Sequence, residues 1–103
     1  MLKWLMNASK GAQRGNVRRT VSRLVQAANG VDRRLAASGG VPLASDTAQI
    51  VSIQKELLKD MIGHLSIEEL RTEFLDPLDH DPAVSEGARM AVRHVFDTAA
   101  KRG

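Results

Sequence analysis

Between Arg14 and Arg34 the chain carries six arginines and a single acid, Asp32. The guanidinium groups of Arg14, Arg18, Arg19, Arg23, Arg33 and Arg34 are planar, permanently charged donors suited to carboxylates and phosphates. Their chemistry is anion recognition, whether of nucleic acid, an acidic protein surface or lipid headgroups. On a helical wheel Arg18, Arg19, Arg23, Arg33 and Arg34 lie opposite a valine and leucine stripe, forming a band about 25 Å long. Such a band could track phosphates and would then bind with strong salt dependence. It is equally the wet face of a helix that pairs with acids elsewhere in the chain.

The motifs that usually accompany nucleic-acid recognition are missing: there are no zinc ligands, no aromatic platform for bases and no good helix-turn-helix. The one tight turn between helices, Gly63-His64-Leu65-Ser66, leads into a segment with Glu68, Glu69 and Glu73, which would repel phosphates.

Asp76, Asp79, His80 and Asp81 in DPLDHDP are possible divalent-cation ligands, but their spacing matches neither an EF-hand nor a zinc motif. Helix-ending and helix-capping chemistry accounts for Asp76 and Asp81 without a metal. His64 interrupts the apolar side of a predicted helix near its C-terminus, where an imidazole interacts favourably with the dipole. His94 lies on the polar side of the last helix, where Glu86, Arg89, Arg93 and Asp97 have the spacing of intrahelical ion pairs. There is no cysteine, nucleophile elbow, glycine-rich phosphate loop or histidine pair at metal-binding spacing, so no catalysis, cofactor or metal is expected. Trp4, the sole tryptophan, is either a core plug or an exposed anchor for a partner.

Composition frames these candidates. The 103 residues fit one domain, 1–103, with 1–15 as a semi-independent basic arm. With 43% hydrophobic and 3% aromatic residues, the core must be mostly aliphatic. The net charge of +3 hides an asymmetry: residues 1–40 hold eight basic residues and one acid, and the rest hold seven and eleven. The two halves can therefore attract each other, and a polyanion would compete for the first. No apolar run reaches the roughly 18 residues of a membrane span. The acid-free start resembles a transit peptide in composition, but the expected compartment is the cytoplasm.

The elements that must position these residues are all helical. Val17, Val21, Leu24, Val25, Ala28, Val31 and Leu35 recur at helical spacing and predict an amphipathic helix over 17–37, with Asn16 as N-cap and Ser38-Gly39-Gly40 as its end. The stripe keeps phase across Asn29-Gly30, so the helix is expected to run through them. Ser45 or Asp46 opens a second helix, 46–65, with Asp46 and Gln49 placed like a capping box. Its apolar residues span nearly half the wheel, which predicts a central helix touched by two others or by a second subunit. Ser66 and Glu69 form another capping box for 66–75, which Asp76-Pro77 should end. Asp81 and Pro82 should start the last helix, 82–101, with Val84, Ala88, Ala91, Val92, Val95, Phe96 and Ala99 inward.

The expected fold is an all-α bundle of four main helices, with a short helical turn at the N-terminus. The expected function is that of a non-catalytic regulatory or adaptor protein, a homodimer binding another protein through helix surfaces. The alternative is a nucleic-acid-binding accessory protein that uses the arginine band.

Overall fold

The computed structural model describes residues 2–40, 43–61 and 66–102, and within them the side chains of 14–37, 39–40, 43–61 and 66–101. Its elements are α1 (Leu2–Ser38), α2 (Ala44–Met61), α3 (Ile67–Leu70), a π-helical turn (Arg71–Leu75), α4 (Asp76–Asp79) and α5 (Glu86–Arg102). The three pieces from Ile67 to Asp79 read as one broken helix, so the all-α bundle expected from periodicity is the fold.

α1 is one helix of 37 residues, about 55 Å at 1.5 Å per residue, and the molecule is 56 Å long by 27 and 22 Å. The expected start at Asn16 and the separate N-terminal turn are thus corrected. Asn16 is an interior helical residue whose carbonyl accepts the Thr20 hydroxyl at 2.9 Å. No proline or run of β-branched residues between Leu2 and Asn16 stops helix propagation, so a good capping residue is passed over. The helix crosses Asn29-Gly30 unbroken and ends as expected. Gly39 takes φ +65°, a left-handed conformation that glycine adopts without steric cost, and its N–H donates to the Leu35 carbonyl at 2.7 Å.

Contacts along the chain fix the register of the helices. Arg34 reaches Asp46, Arg23 reaches Glu56 and Thr20 reaches Asp60, so α2 runs antiparallel to α1. Asn29 meets Ser85 and Asp32 meets Gly87, which starts α5 at the same end as α2. Gln54 donates to the Ala91 carbonyl at 3.0 Å, tying the two parallel helices together. The segment from Ile67 to Asp79 returns along α1, with Glu69 at Arg14 and Glu73 at Arg18.

The core is aliphatic as composition requires. Val17, Leu24, Leu57, Met61, Leu70, Val92 and Phe96 are its fully buried large side chains, and Ala88 and Ala99 let α5 approach its neighbours closely. α2 packs against both α1 and α5, as its broad apolar arc predicts. Ile53, Leu57 and Met61 are buried and Ile50 and Leu58 half-buried, while Val51 keeps 40% of its surface exposed. Ile62, His64 and Leu65, with the expected turn at 63–66, lie outside the described residues except for Ser66.

Other helix boundaries and caps also differ from expectation. α2 begins at Ala44, so Ser45 and Asp46 sit inside its first turn, and Asp46 turns to Arg34 instead of capping. Ser66 has the extended backbone of an N-cap, but its side chain makes no capping bond, and the Glu69 carboxylate that would complete the capping box pairs with Arg14 instead. The helix also passes Pro77. The Asp76 N–H donates to Arg71 five residues back, a π turn that widens the helix just ahead of the proline ring.

α5 starts four residues later than expected. Asp81 to Ser85 is a turn in which the Asp81 carboxylate accepts the Ala83 N–H at 2.9 Å. Ser85 caps the helix: its hydroxyl accepts the Ala88 N–H at 3.2 Å and its carbonyl the Arg89 N–H at 3.0 Å.

Candidate functional site

The arginine band is brought against the acidic half of the chain. Arg14 donates to Glu69 at 2.9 Å and stands 3.8 Å from Glu73. Arg18 contacts Glu73 at 3.3 Å, with its guanidinium 5.8 Å from the centre of the Phe74 ring. Arg23 pairs with Glu56 at 2.9 Å, and Arg34 with Asp46. Arg19 and Arg33 alone in the band meet no carboxylate among the described residues; both are exposed. They are 14 residues apart, about 21 Å along one side of α1.

These pairs join residues 33 to 55 positions apart in sequence, or 12 for Arg34 with Asp46, so they tie helix to helix. Each is at least partly exposed and contributes about 0–1 kcal/mol. Their larger consequence is electrostatic, because a guanidinium already holding a carboxylate is a poor phosphate site.

The charges of α5 behave likewise and depart from expectation. Arg93 pairs with Asp79 at 2.8 Å and Asp97 with Arg71 at 3.4 Å, while Arg89 donates to the backbone carbonyls of Leu78 and Asp81. The expected intrahelical pairs are replaced by links to the preceding segment, whose carboxylates and carbonyls lie within reach of the same side chains. Asp79 and Asp81 are thereby engaged, and among the described residues no three His, Asp or Glu side chains converge as a metal site.

Two polar features at the helix contacts were not read from the sequence. Asn29 clamps the turn before α5: its amide donates to the Ala83 carbonyl at 3.1 Å and its side-chain oxygen accepts the Ser85 N–H at 2.8 Å. Thr20, buried, stands 3.0 Å from an Asp60 carboxylate oxygen as well as 2.9 Å from the Asn16 carbonyl, and its one proton serves either. A buried threonine facing an aspartate forty residues away carries no local signature.

The surface that the arginine band does not explain lies on the opposite helices. Between α2 and α5 runs a groove of about 200 Å³, lined by Val51, Gln54, Lys55, Leu58, His94, Val95 and Thr98. Met90, one turn before His94, is 60% exposed. The Gln54 amide is already committed to Ala91, so the floor offers chiefly aliphatic carbon. His94 thus borders an apolar groove, a setting that its position on the polar side of the wheel did not suggest. Trp4 belongs to α1, but its side chain lies outside those described.

Compared with protein-family models, with curated proteins and with solved structures, the chain gives no match. Among the described residues no helix is long and apolar enough to cross a membrane.

Proposed function

We propose that the protein is a non-catalytic regulatory or adaptor protein that binds another protein through its helix surfaces. The observation that carries the reading is the exposed apolar groove between α2 and α5, lined in part by the exposed Val51, with the exposed Met90 one helical turn before His94. A hydrophobic groove is one of the surfaces into which an amphipathic helix of a partner lays its apolar face. The alternative, phosphate binding along α1, is weakened because Arg14, Arg18, Arg23 and Arg34 each hold a carboxylate of the same chain. Arg19 and Arg33 are the two guanidiniums of the band left without a carboxylate among the described residues, few for a nucleic-acid complex held by phosphate contacts.

Photo-crosslinking in the expressing cell tests this reading. A photoreactive residue replacing Met90 should yield a discrete protein adduct, and the same residue replacing Arg19 should not. Nucleic-acid adducts from position 19, with none from position 90, would overturn the assignment.

A further inference from the structure

We infer that the α2 and α5 groove takes an acidic amphipathic helix of a partner protein, an inference that rests on the protein-binding reading above. Charge and shape together lead to it. Arg14, Arg18, Arg23, Arg34, Arg71 and Arg93 each meet a carboxylate within 4 Å. Arg19, Arg33 and Lys59 meet none among the described residues, and neither do the lysines beside the groove. Lys55 lines it, and Lys101 follows His94 by seven residues and so lies on the same side of α5. Neither lysine has an ion-pair partner among the described residues, and no carboxylate lines the groove.

The groove therefore joins an aliphatic floor, Val51, Leu58 and Val95, to lysines that no carboxylate among the described residues compensates. Its volume of about 200 Å³ suits one or two branched aliphatic side chains. Its two walls are parallel helices, and a third helix laid along them would present apolar residues at i, i+3, i+4 and i+7 with acids beside the stripe. The apolar anchors supply most of the affinity, and the lysines set partner choice and association rate.

A second copy of this chain is the less favoured occupant. A two-fold dimer through this face would set the side that bears Lys55 and Lys101 against the same side of the other copy, an unfavourable juxtaposition of like charges.

The test is selection from a displayed library of helical peptides about 14 residues long, enough to span about 21 Å. Apolar residues are fixed at the four stripe positions, and the flanking positions are varied among Glu, Gln and Lys. The full chain is the target. Val51→Asp and Met90→Asp are the comparison targets, both at exposed positions, with folding checked by circular dichroism.

Selected peptides should be rich in Glu at the flanks and should bind Val51→Asp about tenfold more weakly or worse, because an aspartate there buries an unpaired carboxylate on complex formation. The Lys55→Glu/Lys101→Glu variant should turn the selection toward Lys flanks. Peptides that map to the groove without charge preference would overturn the acidic partner and leave the protein-binding reading standing. No enrichment, or binding indifferent to both aspartates, would overturn that reading as well. A dimer by light scattering that Val51→Asp dissociates would make the second copy the occupant and refute the inference.

Discussion

Gly87, the second residue of α5, is held to its identity by a side chain on another helix. A Cβ built there would stand 2.4 and 2.8 Å from the Asp32 carboxylate oxygens and 2.9 Å from its Cγ, where ordinary contact begins near 3.4 Å. Alanine at position 87 therefore requires the carboxylate to retreat by the better part of an ångström. Asp32 sits within α1, and leaving its rotamer costs about 0.5–1.5 kcal/mol. Moving the charge from the first turn of α5 loses about 0.3–1 kcal/mol of helix-dipole interaction. Against this, alanine gains up to about 1 kcal/mol over glycine in a helix, and less so near the start. Gly87→Ala alone should thus be neutral or destabilising by as much as about 2 kcal/mol. In an Asp32→Ala background the obstruction is gone, and the same substitution should stabilise by up to about 1 kcal/mol. A double-mutant cycle by urea denaturation reads the difference as a coupling of about 1–2 kcal/mol. Equal stabilisation by Gly87→Ala in both backgrounds would refute the contact between α1 and α5 as described.

Asn29→Ala removes both bonds that fix the turn before α5 and leaves the Ser85 N–H without its acceptor, so a loss of about 1–3 kcal/mol is expected in the same denaturation assay. Thr20→Val keeps the shape but removes the hydroxyl beside Asp60, and thermal unfolding should report a loss of about 1 kcal/mol. Phe96→Ala and Leu57→Ala empty fully buried positions, at about 3–5 and 2–5 kcal/mol, a large part of the 5–15 kcal/mol of a typical domain.

The parts of the fold that follow a repeating pattern were legible in the sequence. Val17, Val21, Leu24 and Ala28 recur at three and four residues, and all four are buried. Ala88, Val92, Val95, Phe96 and Ala99 do the same for the last helix, and Val84 is buried in the turn before it. Helix boundaries were less legible, because they depend on competition between local signals and distant partners. Asn16 is a good N-cap, but nothing before it stops the helix. Glu69 fits a capping box, yet Arg14 of another helix claims it. Pro77 should end a helix, but a π turn accommodates it. For the site, the halves of opposite charge were visible from counting, and the pairing of Arg14, Arg18, Arg23 and Arg34 is the attraction they imply. The groove was not visible: it arises where α2 and α5 meet, and Val51, Lys55 and His94 share no local pattern.

The most direct test of the account is whether the chain's own acids cover the arginine band. Fluorescence anisotropy of a labelled random-sequence duplex, titrated at about 50 and 200 mM salt, would compare the wild-type chain with Glu56→Gln/Glu69→Gln/Glu73→Gln. The triple substitution frees Arg14, Arg18 and Arg23. At a slope of about −0.9 per phosphate contact, three such contacts weaken binding about 40-fold over that fourfold rise in salt. Little binding is expected from the wild-type chain, and new binding from the variant with about that salt dependence. Tight wild-type binding at the lower salt, unchanged in the triple variant and abolished by Arg18→Ala/Arg19→Ala/Arg23→Ala, would contradict it and make the arginine band the functional surface.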